Sequence, residues 1–258
     1  MPELTIEQYS TVYNMFSFTI AAMFASFVFF VFSRDLLSAK YKISMILSAV
    51  VVGVAGYHYI RILGSWDNAY ELAEGVYVAT GQPFNDAYRY VDWLLTVPLL
   101  MAELIAVLAL APSVRKALTA KLMIAAVLMI ALGYPGEIMD EKSIFGMYGV
   151  WGTLSTIPFV YILYVLWVEL GRFMKDQPAK VNILVRNIRL LTVATWGFYP
   201  IAYMIGAGGG GESAGAEVGL QVGYTIADVL AKCGYGIMVY HIARAKMEAE
   251  GDPLAQSH

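Results

Sequence analysis

Residues 43–56 read ISMILSAVVVGVAG, and residues 122–132 read LMIAAVLMIAL. Neither stretch contains a charge, and neither alternates apolar with polar as a half-buried strand does. A helix that crosses the roughly 30 Å hydrocarbon core needs about 20 largely apolar residues at about 1.5 Å of rise each. Extended on both sides until charges accumulate, these stretches become runs 43–64 and 119–139. Five further runs meet the same standard: 9–33, 87–111, 144–170, 188–207 and 218–244. Short alternating segments, the mark of a membrane β-barrel, are absent. The expected fold is an all-α membrane protein, a single seven-transmembrane-helix bundle filling residues 1–258.

The composition of the 258-residue chain agrees: 59% of residues are hydrophobic and 14% charged, against about 25% charged in a soluble domain. The net charge of −3 offers no basic field for nucleic acid. The single cysteine, Cys233, excludes an intramolecular disulfide and a multi-cysteine metal site, and no metal is expected.

Residues 1–10 carry Glu3 and Glu7 but no Lys or Arg, unlike the basic start of a signal peptide, so the first run is expected to be retained. Thirteen of the 17 basic residues fall on one side of the runs: Arg34, Lys40 and Lys42; Arg115, Lys116 and Lys121; Arg172, Lys175, Lys180, Arg186 and Arg189; Arg244 and Lys246. The positive-inside rule places that side in the cytoplasm and the N-terminus outside. Two outer connections stand out. In residues 65–86, Val76–Val78 and a turn at Gly81–Pro83 could make a short hairpin, although a plain closing loop is favoured. Residues 206–215, GAGGGGESAG, read as a flexible link.

Ionisable groups inside the runs carry the functional information, because each costs at least about 2.5 kcal/mol at the bilayer centre. Lys232 sits near the middle of the seventh run, four residues after Asp228 and on the same helix face. The third run holds Arg89, Asp92 and Thr96 at spacings of three and four, and the second holds His58. Glu103 follows Asp92 by eleven residues, almost three turns, so it shares that face roughly 16 Å further along the axis. With the N-terminus outside, both aspartates lie on the outer side of the lysine and Glu103 on the inner side. One isolated pair could simply stitch helices together; a lysine, two aspartates, an arginine and a histidine together make that reading weak. A buried lysine is a candidate imine former toward an aldehyde, and spacing alone does not name the aldehyde. Trp196, Tyr199 and Tyr203 form one aromatic face, which suits a slender apolar ligand but also ordinary packing.

At RYVDWLLTVPLL (Arg89–Leu100), DVLAKCGYG (Asp228–Gly236) and WGFYPIAY (Trp196–Tyr203) the chain resembles the microbial (type 1) rhodopsins over its whole length. AGYHYIR, with His58, is similar to their proteorhodopsin and xanthorhodopsin branch. The resemblance implies all-trans retinal held by Lys232 as a protonated Schiff base. Asp92 would be the counterion and proton acceptor, Asp228 the second counterion, and Arg89 the organiser of the outer cluster. His58 would hydrogen-bond Asp92, and Glu103 would be the inner proton donor. Trp93, Thr96, Met129, Gly133, Ser155, Phe159, Trp196, Tyr199, Pro200 and Tyr203 would line the retinal pocket. Leu100 would favour green absorption. Gly152 stands where many relatives carry tryptophan, and it would open a lipid-facing window for a hydroxylated or keto carotenoid antenna; close helix packing is the plainer explanation of that glycine.

Asp, Thr and Glu at positions 92, 96 and 103 match neither the chloride-pump nor the sodium-pump pattern of such proteins. The resemblance therefore implies a light-driven outward proton pump, an ion transporter rather than an enzyme, multi-pass in the inner membrane of a bacterium. Its expected partners are the lipid bilayer, protons and further copies of itself in a homo-oligomer. The alternative is a photosensory rhodopsin signalling through a partner protein; the short polar tail from Arg244 to His258 is expected to carry no signalling domain. A retinal-free transporter or receptor with a plain Asp228–Lys232 ion pair is a second alternative. Glu137, Glu212 and Glu217 are available for proton release on the outer side, and spacing does not choose among them.

Overall fold

A computed structural model describes residues 1–139, 141–207 and 213–256. Residues 208–212, within the glycine-rich link and including Glu212, lie outside the described residues, as does Asp140. Among the described residues seven long helices follow one another: α1 (Ile6–Ser33), α2 (Lys42–Ala69), α3 (Tyr88–Val107), α4 (Pro112–Glu137), α5 (Met147–Met174), α6 (Ala179–Trp196, continued by Phe198–Ala207) and α7. The last runs as Ala214–Val229, a π turn over Leu230–Gly234, and Tyr235–Ala249. Six of them are long and apolar enough to cross a membrane; α7 is long enough but less apolar, carrying Asp228, Lys232 and His241. Neighbouring helices pack in chain order, and α7 closes the ring against α1.

The helices outrun the apolar stretches at several ends. The sixth begins at Ala179, nine residues before run 188–207, and the seventh extends past both ends of run 218–244. Apolar length records the thickness of the lipid core, whereas a helix continues into the headgroup region, where exposed Lys180 and Arg186 are at home. In the opposite direction, the third helix stops at Val107, before the end of run 87–111.

Large apolar side chains point outward, among them Phe18, Phe32, Ile124 and Ile157, while Arg89, Asp92, Thr96, Glu103, Asp228 and Lys232 are buried. This arrangement suits a hydrocarbon solvent, which asks for apolar exteriors and confines charge to the bundle interior.

The outer end is capped by a small sheet. β1 (Leu4–Thr5) and β2 (Tyr70–Ala73) flank β3 (Val76–Ala79), all antiparallel. The connection in 65–86 is therefore a true hairpin, and its turn is Glu74–Gly75 rather than Gly81–Pro83. Both turn residues have positive φ (51° and 88°), a conformation that a glycine adopts without strain. The sheet holds Tyr77 flat against Tyr9, with ring centroids 3.7 Å apart, over a separate core of Phe16, Tyr59 and Trp66. Thr5 and Gln8 begin α1 with a reciprocal capping box.

Candidate functional site

Lys232 lies inside the π turn of α7, 2% exposed. Such single-turn widenings of a helix are frequent at functional sites. Its Nζ donates to Asp228 Oδ1 at 2.7 Å and lies 3.1 Å from Asp92 Oδ2. Asp228 is hydrogen-bonded at both oxygens: Oδ1 also accepts from Tyr199 OH (2.6 Å), and Oδ2 accepts from Tyr59 OH (2.8 Å). Asp92 is not, because its Oδ1 is buried without a hydrogen-bond partner. Two carboxylates facing one amine thus differ in what they still have free.

Thr96 does not line the cavity described below. One turn beyond Asp92, it donates Oγ1 to the Asp92 carbonyl (2.9 Å), as an i−4 back-bond within the helix. His58 is buried on α2, but its Nδ1 lies 3.0 Å from the Val54 carbonyl, and no hydrogen bond joins it to Asp92. The carbonyl one turn back on its own helix offers the ring the closer partner. Arg89 likewise turns away from the two aspartates. It pairs with Asp86, donates Nη2 to Gln221 Oε1 (2.7 Å) and lies over the Tyr224 ring at 4.7 Å.

Glu103 is fully buried further along α3. Neither carboxyl oxygen has a hydrogen-bond partner; Ser48, beside it on α2, donates to Ser44 O instead (3.1 Å). The rise of α3 separates it from Asp92 by roughly 16 Å along the axis.

A cavity of about 680 Å³ runs from Lys232 between α3, α4, α5 and α6. This is the size range of small-molecule sites. Trp93, Met129, Gly133, Ser155, Phe159, Trp196, Tyr199, Pro200 and Tyr203 line it, as does Leu100. The lining is overwhelmingly apolar, and Lys232 is the one amine among the described residues that form it. Gly133 keeps its width: a Cβ there would stand 3.2 Å from Ser155 Oγ and 3.3 Å from Tyr90. Gly152 lines the cavity at the lipid-facing side of α5, beside exposed Thr153, Thr156 and Ile157. Tyr148 and Tyr203 clasp α5 to α6 by donating each hydroxyl to the other's carbonyl (2.7 and 2.8 Å) while their rings stack. A slender apolar aldehyde fits this chamber, with its reactive carbon at the lysine.

The bacteriorhodopsin-like protein family matches residues 10–246. The chain belongs to that family. Among its relatives, the green-light absorbing proteorhodopsin of Gamma-proteobacterium EBAC31A08 is 32% identical over 229 residues, covering 86% of this chain and 82% of that protein. The crystal structure of xanthorhodopsin, described as a light-driven ion pump with dual chromophore, superposes with a TM-score of 0.93 at 58% identity, over 97% of this chain and 99% of that one. A thermophilic rhodopsin superposes with a TM-score of 0.94 at 51% identity and the same coverage. As a member of this family the chain is a type 1 microbial rhodopsin, and its family implies a retinal chromophore.

Sequence reasoning missed Tyr59, Gln221 and Tyr224. Tyr59 stands next to His58 in a segment already singled out, but which of two adjacent aromatics faces α7 depends on helix rotation, which sequence spacing leaves open.

Proposed function

We infer that the chain is a light-driven outward proton pump of the cell membrane. One observation carries the direction of proton movement: of the two carboxylates at Lys232 Nζ, only Asp92 has an oxygen without a partner. Joined to Lys232 Nζ, retinal supplies a light-absorbing polyene whose change of shape re-aims the proton carried at that nitrogen. Asp92 Oδ1 can take that proton without displacing any donor. Asp228 could take it only at an oxygen that already accepts a hydrogen bond from Tyr59, Tyr199 or the lysine itself. Asp228 therefore stays in place as the fixed negative partner, and Asp92 moves the charge.

Glu103 holds the replacement proton on the cytoplasmic side and delivers it to Lys232 Nζ. The apolar stretch between them keeps bulk water from short-circuiting the two halves. Trp93, Trp196, Tyr199 and Pro200 would hold the polyene along the cavity, with its reactive end at Lys232. Moving one charge against 100 mV costs about 2.3 kcal/mol, far less than a visible photon supplies. The 58% identical xanthorhodopsin, a light-driven ion pump, supports this reading over a photosensory one.

The test is the light-induced pH change in a suspension of cells that make the protein and are given retinal. Acidification abolished by a protonophore is expected; alkalinisation, or no change from a coloured protein, would refute outward pumping.

A second chromophore belongs to the same reading. Gly152 thins the cavity wall where α5 meets lipid, and a Cβ there would stand only 2.7 Å from Tyr203 Cε1. The Tyr203 ring occupies the space that a side chain at position 152 would take. A hydroxylated or keto carotenoid lying against this window could pass excitation to retinal. The 58% identical xanthorhodopsin, with its dual chromophore, supports the capacity.

A further inference from the structure

Tyr235 is the first residue after the π turn that holds Lys232, and it is fully buried. Its hydroxyl crosses from α7 to α3 and donates to Leu100 O at 3.0 Å. Leu100 lies in the wall of the retinal cavity, and Glu103 stands three residues further along α3. In a helix, the side chain of residue i+3 rises beside the carbonyl of residue i. The Tyr235 hydroxyl is therefore held next to Glu103, on the side nearer to Lys232. Glu103 is the charged group close enough to act on it among the described residues.

Each of these groups has something unused. Neither oxygen of Glu103 has a hydrogen-bond partner among the described residues. A neutral carboxyl bears that isolation far more cheaply than a carboxylate does. Leu100 O, inside α3, is also the regular acceptor of the Leu104 N–H. The hydroxyl is thus its second donor and strands no carbonyl when it turns away. A rotation about the C–O bond of Tyr235 redirects the hydroxyl without moving the ring. A phenylalanine would fill the same space with no polar group to satisfy.

We propose that Tyr235 assists proton delivery by Glu103: as Glu103 gives up its proton, the hydroxyl turns from Leu100 O and donates to the carboxylate left behind. This deepens the pump reading and rests on it. The O–H bond at Glu103 breaks and an N–H bond forms at Lys232 Nζ, while Tyr235 keeps its own O–H bond throughout. The negative charge developing on Glu103 meets a donor already in place. When Glu103 regains a proton from the cytoplasm, the hydroxyl returns to Leu100 O. Tyr235 is a positioning residue that acts through Glu103 and carries no proton.

The experiment uses the full-length, retinal-loaded protein in lipid nanodiscs. After a flash, the absorbance changes that report loss and return of the proton at Lys232 are followed. In Y235F the return is expected to slow by about tenfold, the worth of one hydrogen bond to a charged group, with the loss unchanged. E103Q has no carboxylate for the hydroxyl to serve, so adding Y235F to it should slow the return no further; a tyrosine that only packs would slow both proteins alike. Time-resolved infrared spectra of protein carrying ring-labelled tyrosine test the same step with position 235 intact, and they decide the matter if Y235F forms no pigment. A tyrosine band should shift as Glu103 loses its proton, and that shift should be missing in E103Q. Return at the unmodified rate in Y235F, equal slowing by Y235F with and without the Glu103 carboxyl, or no tyrosine shift at that step would overturn the proposal. E103Q protein that regains its proton at the unmodified rate would instead remove Glu103 as the donor, and an unmodified protein with no proton movement would defeat the pump reading itself.

Discussion

Asp92 and Lys232 meet through a single carboxylate oxygen: Oδ2 lies 3.1 Å from Nζ, while Oδ1 is buried and unpartnered. The open oxygen is what separates this carboxylate from Asp228, which accepts a hydrogen bond at each oxygen. Asp92→Asn keeps the shape and replaces the acceptor oxygen with an amide. Light-driven acidification by cells making this variant should vanish, while a retinal absorption band remains. Acidification at the unmodified rate would remove Asp92 from the pathway.

Glu103 is buried on the other side of the lysine, with no hydrogen-bond donor at either oxygen. Glu103→Gln removes the proton that it delivers and little of its packing. Return of the proton to the Lys232 nitrogen should slow by about a hundredfold, the usual worth of a positioned acid. Flash photolysis reads this as a prolonged deprotonated phase, with its rise unaffected.

Tyr59 donates to Asp228 Oδ2 from a fully enclosed position on α2 and does not line the retinal cavity. Tyr59→Phe deletes the hydroxyl alone. A hydrogen bond to a buried charge is worth about 2 kcal/mol, so thermal bleaching should set in at lower temperature. A variant that bleaches at the unmodified temperature would show that Asp228 does not depend on this donor.

Gly152→Trp places a large side chain where Tyr203 already stands. The ring must move, and the lipid-facing wall closes. Energy transfer from an added hydroxylated or keto carotenoid, read in the excitation spectrum, should disappear, while direct excitation of retinal still drives proton export. Transfer persisting in this variant would place any antenna elsewhere.

Much of this was visible in the chain before any coordinates. Uninterrupted apolar stretches such as 122–132 mark lipid-crossing helices because hydrocarbon tolerates nothing else, and Asp228 and Lys232 share a face because four residues are about one turn. Helix ends were less legible: α6 reaches back to Ala179 through charged residues that hydropathy counts against it. The π turn around Lys232 leaves no mark in composition, yet it changes the rotation of everything after Val229. Contacts between helices were hidden for a related reason. His58 and Tyr59 are adjacent, and only the orientation of α2 decides that Tyr59 reaches Asp228 while the His58 ring meets Val54 O. Arg89 bonding outward to Gln221, rather than inward to the aspartates, is likewise set by packing between α3 and α7.

The arrival of the Lys232 proton on Asp92 is open to direct observation by time-resolved infrared spectroscopy. A protonated-carboxyl band should rise at the rate at which the lysine nitrogen loses its proton. That band should shift in frequency in Asp92→Glu and keep its position in Asp228→Glu. A band that follows the Asp228 substitution, or none rising with the deprotonation, would contradict the assignment of Asp92 as the acceptor.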